Sequence, residues 1–162
     1  MNLTIRKANL DDVPTIAFLA HKIWNEHYIS IISRAQINFM LDKMYSEESL
    51  TEQMNQGHQF FLVNQKDIDL GYCSISKKEE GKYFVNKFYV DVSSHRSGIG
   101  TQLFNYVLQQ IPDYKTIELA VNRENYKAIN FYFKLGFTIK HTFDLEIGGG
   151  FYMNDFLMVR CK

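Results

Sequence analysis

Two segments combine residue types whose spacing could do chemistry. The first runs KFYVDV (87–92), SSHRSGIG (93–100) and TQLFNYVL (101–108), which reads as strand, loop and helix. Gly98 and Gly100 let the backbone lie close to a ligand and take conformations that a side chain would block. A helix that follows such a loop presents N–H groups and the positive end of its dipole to the same spot, which suits an anion. Arg96 adds a positive charge at that rim, and a pyrophosphate is the ligand this arrangement would hold. A plain glycine turn leading into a helix explains the residues equally well when the segment is taken alone. Two phosphate motifs are excluded. Thr101 and Gln102 follow Gly100 where a Walker loop needs Lys and Ser/Thr, and Leu103 stands where the dinucleotide fingerprint needs its third glycine.

The second segment is VNRENYKAINFYFKLGF (121–137). It joins the end of a strand to a helix that opens at Asn125, carries the small Ala128 and the pair Phe131-Tyr132, and stops at Gly136-Phe137. Part of this pattern is an amphipathic helix with Phe131, Leu135 and Phe137 facing a core, whatever the function.

The elements that must position these residues follow from periodicity. Leu3 to Ala8 alternates as a strand. Asp11, Asp12 and Pro14 start a helix that carries the apolar series Val13, Ile16, Phe18, Leu19 and Ile23. Ser33 with Gln36 has capping-box spacing and opens a second helix with Ile37, Met40, Leu41 and Met44, and a short third helix spans 47–56 before Gly57. Segments 59–64, 68–76 and 83–92 are rich in Phe, Tyr, Val and Ile and are separated by the turns QKD and KKEEGK, the pattern of an antiparallel meander. A helix over 99–110, a buried strand over 116–121, a helix over 125–135 and two strands, 137–147 and 151–160, around a GGG turn complete the chain. The expected fold is therefore α+β (mixed α/β): a mostly antiparallel twisted sheet of about seven strands with helices on both faces.

Composition narrows the function classes. The 162 residues are 46% hydrophobic and 22% charged, which fits one folded domain over 1–162 and excludes a disordered chain. Eighteen basic and 18 acidic residues cancel, so a partner that is tracked along a nucleic-acid backbone is not expected. Cys73 and Cys161 stand far apart with no CxxC spacing, which argues against a zinc site or a disulfide scaffold, and both read most simply as small buried hydrophobes. The N-terminus shows no signal-peptide pattern, and no stretch approaches the roughly 20 apolar residues of a membrane helix. No membrane partner and a cytoplasmic location are the default expectations.

The two segments together resemble the GNAT (GCN5-related) N-acetyltransferases. FYVDVSSHRSGIGTQL resembles the family's pyrophosphate loop, Arg/Gln-x-x-Gly-x-Gly/Ala, and NRENYKAINFYFKLGF resembles its second coenzyme A segment, N-x-x-A-x-x-F-Y-x-x-x-G-F. The order of elements also resembles the family fold along the whole chain. The resemblance implies acetyl-CoA as cosubstrate, no metal, and transfer of acetyl to a primary amine. Phe88, Tyr89 and Val90 match the strand that pairs with the pantetheine amides. Arg96, Ser97, Gly98, Ile99, Gly100 and Thr101 match the loop that wraps the pyrophosphate, and His95 stands where the family has Arg or Gln. Asn125, Ala128 and Phe131 match cofactor-binding positions, and Tyr132 matches the tyrosine that protonates the departing thiolate. A phenol with an ordinary pKa of about 10 keeps its proton at neutral pH and can donate it.

The base and the acceptor are less determined. Ala120, five residues before Asn125, cannot act as a base; Glu118 shares its strand face and is a candidate, with deprotonation through water as the other reading. Trp24 to Ile37 resembles a subgroup that includes PaiA-type polyamine acetyltransferases. Trp24, His27 and Tyr28 share a helix face at i, i+3, i+4 spacing, so they read either as an aromatic wall of an acceptor pocket, able to hold a cation, or as core. A small-molecule amine such as a polyamine is the expected acceptor. A protein or peptide N-terminus or lysine, or a non-catalytic coenzyme A sensor, are the alternatives, and a monomer or homodimer is expected.

Overall fold

The computed structural model describes residues 2–91, 93 and 97–162. His95 and Arg96, singled out above, lie outside the described residues. The chain divides into two compact units, Met1–Ser76 with Lys87–Pro112, and Lys77–Asn86 with Asp113–Lys162.

The first unit opens with β1 (Leu3–Lys7), a 3-10 turn (Leu10–Asp12) and α1 (Val13–His27). Asn9 caps the turn: its Oδ1 accepts from the Asp11 N–H, and Asp12 Oδ2 accepts from the Asn9 N–H, both at 2.9 Å. Arg6 grips the same Asp12 carboxylate with two donors, at 2.9 and 2.7 Å. A second 3-10 turn (Tyr28–Ser30) leads to α2 (Arg34–Tyr45) and α3 (Glu47–Asn55). Ser33 Oγ accepts from the Gln36 N–H at 3.1 Å, as the capping spacing requires. The helices bury Ile16, Leu19, Ile23, Ile37, Leu41 and Leu50.

Strands β2 (Gln59–Gln65), β3 (Ile68–Glu79) and β4 (Lys82–Val90) follow, with β3 and β4 each running through both units. In β2 and β3 Phe61 lies opposite Cys73 and Leu62 opposite Tyr72, so Phe61 and Tyr72 point to opposite faces. Tyr72 meets Tyr45 of α2, whereas Phe61 meets Tyr106 of α4 (Ile99–Gln110), so this unit carries helices on both faces.

The second unit holds β5 (Thr116–Asn122), α5 (Tyr126–Lys134), β6 (Thr138–Gly148) and β7 (Phe151–Cys161). Strand β4 pairs parallel to β5 from Lys82↔Thr116 to Val85↔Leu119; β5–β7 and β6–β7 are antiparallel. The strand order is β1-β2-β3-β4-β5-β7-β6, a seven-stranded, mostly antiparallel sheet flanked by helices, which is the fold class read from the sequence. Three expectations differ. Cys73 is buried but Cys161, at the end of β7, is exposed, and Phe18 points away from the apolar face of α1 and is exposed. The third concerns a turn. The six residues KKEEGK do not form a loop: β3 continues to Glu79 and β4 starts at Lys82. Gly81, at φ +74°, takes the left-handed conformation and closes the turn in two residues. The charged ends of the strands are accommodated by the Lys82–Glu79 contact at 3.0 Å and by Lys78 over the Phe84 ring at 5.5 Å.

Asp91 ends β4. It is buried, its N–H donates to Leu70 O at 2.7 Å, and its carboxylate accepts from Lys22 Nζ (2.6 Å), Ser93 N (2.9 Å) and Ser93 Oγ (2.8 Å). Burial acts to raise its pKa, but these donors outweigh it and hold the carboxyl below its usual range. A depressed acid stabilises the fold fully above its unfolded pKa and loses that contribution as pH falls through the folded value. Asp91→Ala should therefore cost about 1–2 kcal/mol at neutral pH, with the difference from the native protein shrinking below about pH 4 in thermal melts.

Candidate functional site

The first unit supplies the anion-binding geometry. Gly98 is the N-cap of α4 at φ +78°, ψ 5°, a left-handed conformation that glycine adopts without strain. Gln102 N donates to Gly98 O at 3.1 Å, a bond of the first turn of α4, and Gly98 supplies no side-chain cap to the helix start. A Cβ at Gly98 would meet no atom of the described residues within 4 Å. Buried Ile99 anchors the turn, while Ser97 and Thr101 are exposed. These are donors for a diphosphate, and the residues present fit one. Phe88, Tyr89 and Val90 are half-buried and lie beyond the four residues of β4 that are in register with β5.

The same unit holds an aromatic cluster. Trp24 stacks on Tyr28 with ring centroids 4.3 Å apart, and His27 meets Tyr28 edge-on at 5.0 Å. The helix-face triplet is thus brought together as its spacing requires, with Trp24 and Tyr28 buried. Trp24 also contacts Tyr45 and Tyr89, each at 5.6 Å, and Tyr72 contacts Tyr45 at 6.0 Å and Tyr89 at 5.7 Å. The Tyr28 and Tyr89 hydroxyls are 3.3 Å apart. Inside this cluster lies Lys87, 7% exposed, with Nζ 4.6 Å from the Tyr45 ring centroid. Burial pushes its ammonium down to about 8. Sequence reasoning did not find Tyr45, Tyr72 or Lys87. The signal was present for Lys87: it occupies the parity of Tyr83 and Val85 on β4, where alternation calls for an apolar residue.

The second unit supplies Asn125, Ala128, Phe131 and Tyr132. Asn125 is buried and caps α5, its Oδ1 accepting from the Ala128 N–H at 3.4 Å. Tyr132 is buried between Phe131 (5.6 Å) and Phe137 (5.7 Å), and its carbonyl accepts from the Phe137 N–H at 3.0 Å, which fixes the helix end. Glu118 is half-buried and accepts from Lys140 Nζ at 3.1 Å. Asp155 was not singled out from the sequence. It faces Asn122 on β5 and Phe143 on β6, is 3% exposed, and burial raises its carboxyl to about 6 against the opposing pull of Arg123. An aspartate in the strand FYMNDFLMVR was its only sequence signal. Among the described residues no helix is long and apolar enough to cross a membrane, and no group of His, Cys, Asp and Glu is gathered as a metal site.

Comparison with known proteins bears on this geometry. Residues 29–143 match the family model described as an acetyltransferase (GNAT) domain. An uncharacterized N-acetyltransferase of Mycobacterium tuberculosis is 26% identical over 132 residues, covering 80% of this chain and 84% of that protein. The spermidine N(1)-acetyltransferase of Thermoplasma acidophilum is 27% identical over 150 residues, covering 88% and 92%. In structure, the chain is similar to the PaiA N-acetyltransferase of Thermoplasma acidophilum in complex with coenzyme A, at TM-score 0.82, 22% identity and 100% coverage of both chains. It is also similar to the ribosomal-protein-S18-alanine N-acetyltransferase of Escherichia coli, at TM-score 0.75, 16% identity and coverage of 99% and 94%.

Asp155 carries a stability test. An acid raised to about 6 keeps its proton in the folded state over a range where the unfolded chain releases it, so its cost to the fold grows between about pH 4 and 6 and persists above. Asp155→Asn should raise the melting temperature at pH 7, by a stabilisation of up to about 3 kcal/mol, and make no difference near pH 4.

Proposed function

We propose, for a chain that belongs to the GNAT acetyltransferase family, that it transfers the acetyl group of acetyl-CoA to the amino group of a small primary amine. The observation that carries this reading is the left-handed Gly98 opening α4 without a side-chain cap, with no atom of the described residues within 4 Å of where its side chain would stand. In this reading Ser97 to Thr101 hold the diphosphate through backbone N–H groups, Phe88 to Val90 bind pantetheine, and Asn125, Ala128 and Phe131 complete the cofactor contacts.

The chemistry forms one bond and breaks one. The amine nitrogen attacks the thioester carbonyl carbon, the C–S bond breaks, nitrogen loses a proton, and the coenzyme A thiolate gains one. An alkylammonium, with a pKa near ~10.4, cannot attack until it is deprotonated. Glu118 is the candidate acceptor of that proton, directly or through water. Its contact with Lys140 suits a purely structural ion pair equally well. Tyr132 is the donor to the leaving thiolate. Holding amine and thioester in attack geometry supplies the remaining acceleration.

Trp24, His27 and Tyr28 form the acceptor wall in this reading. Spermidine is the acceptor named for one relative, and it is the reference polyamine against which acceptors are ranked. The second reading, acetylation of a peptide N-terminus or lysine, is supported by the Escherichia coli structural neighbour. A panel of polyamines, amino acids, aminosugars and short peptides, assayed for free thiol, separates the two; tight acetyl-CoA binding with no thiol release from any of them would instead indicate a sensor. A cytoplasmic monomer or homodimer is the form in which we propose it acts.

Two substitutions test the machinery. Tyr132→Phe should lower kcat by about 10²-fold with acetyl-CoA affinity little changed, because the lost donor acts in the transition state; an unchanged kcat at saturation would remove Tyr132 from the mechanism. Gly98→Val places a side chain on the open backbone face at a positive φ. Calorimetry should show acetyl-CoA binding abolished; because valine at a positive φ is strained, a thermal melt checks that the variant is folded, and normal affinity would refute the loop assignment.

A further inference from the structure

The aromatic cluster around Trp24 contains more hydrogen-bond donors than the protein satisfies. Among the described residues, Trp24 Nε1 and Tyr72 Oη are buried without a hydrogen-bond partner of normal geometry. Trp24 and the Tyr45 and Tyr72 hydroxyls lie close enough to influence one another without completing such a bond at Trp24 Nε1 or Tyr72 Oη. Lys87 brings a positive charge into the same cluster. Its Nζ lies over the face of Tyr45, burial alone acts on its titration, and among the described residues no carboxylate answers it. Asp91, the buried acid at the end of the same strand, is committed to Lys22 and Ser93.

A buried cation and buried N–H and O–H donors are tolerated when an acceptor, best of all an anion, completes them. Aromatic faces alone would favour a cationic guest, but here the protein's own ammonium already occupies one of those faces, and a second cation would be repelled. The link to the reaction is Tyr89. It borders the cluster through Trp24, Tyr72 and the Tyr28 hydroxyl, and it lies on the strand assigned above to pantetheine.

We propose that Trp24, Tyr72 and Lys87 form a subsite for a carboxylate carried by the acceptor, so that the amine acetylated is a short amino-carboxylate and not a polyamine. This rests on the acetyl-transfer reading and narrows its substrate class. The carboxylate accepts from Lys87 Nζ and from Trp24 Nε1, with the Tyr72 hydroxyl as a further donor, and the amine at the other end of the molecule is left for the thioester. Lys87 here is a specificity residue and takes no part in bond making.

The test compares molecules matched in length but opposite in terminal charge: 4-aminobutyrate against 1,4-diaminobutane, with 4-aminobutanamide as the neutral control. The native protein should favour 4-aminobutyrate in kcat/KM by about tenfold or more over both. Lys87→Met, similar in length and free of charge, should erase that preference, and Lys87→Glu should invert it toward the diamine, each with the KM for acetyl-CoA unchanged. A native preference for the diamine, or a carboxylate preference that survives Lys87→Met, overturns the proposal. A readout independent of turnover uses the native protein with 13C-labelled lysine. Adding 4-aminobutyrate should raise the pKa read at the Lys87 Cε, because an anion beside an ammonium favours its charged form, and the amide should not. If no amine releases thiol, the acetyl-transfer reading fails while that shift still supports the carboxylate subsite; absence of the shift overturns the subsite whatever the kinetics show.

Discussion

Strand β4 is the constraint on which the first unit's chemistry depends. Alternation puts Lys87 and Tyr89 on one face and Phe88 on the other. Phe88 meets Phe104 of α4 at 6.4 Å, which ties the strand to the helix whose first turn is proposed above to hold the diphosphate. Tyr89 and Lys87 meet the aromatic rings that come from α1, α2 and β3. A one-residue slip of this strand would exchange the two sets and dismantle both the helix seat and the aromatic wall at once. Asp91, at its end, locks the strand by accepting from Lys22 and Ser93, just before the loop begins.

The chain retains groups that make its fold less stable than an apolar sequence would. Lys87 and Asp155 are both buried and both titrate away from their ordinary range, the lysine downward and the aspartate upward, in each case because burial opposes charge. Trp24 Nε1 and Tyr72 Oη add buried donors without partners. Such groups concentrate where a protein must meet a ligand, since the interaction they lack within the chain is the one a ligand can supply. Asp91 is the contrasting case: equally buried, it is saturated by its own neighbours and serves the fold.

The capping residues show the opposite relation between local sequence and function. Asn9, Ser33 and Asn125 each satisfy N–H groups at the start of a turn or helix with a side-chain oxygen. Gly98 has no side chain to do so, and α4 starts with its donors uncapped by the preceding residue. Asp12 at the start of α1 also makes no side-chain cap, so Gly98 is set apart by its left-handed conformation and by following the loop proposed above to hold the diphosphate.

What the sequence determined by itself was local or periodic. The span of α4, the caps at Ser33 and Asn125, the meander and the strand–loop–helix around Gly98 all depend on residues within a turn or two of each other, and the structure reproduces them. The packing of Trp24 against Tyr28 was likewise legible, because four residues on a helix return to the same face. Tertiary structure alone decided that Tyr45, Tyr72, Lys87 and Tyr89 would join that pair, that Glu118 would meet Lys140, and that Asp155 would be buried opposite Asn122. Those contacts join residues more than a dozen positions apart, where no helical or strand period relates one side chain to another, and the environment that perturbs a charge exists only once the chain has closed around it.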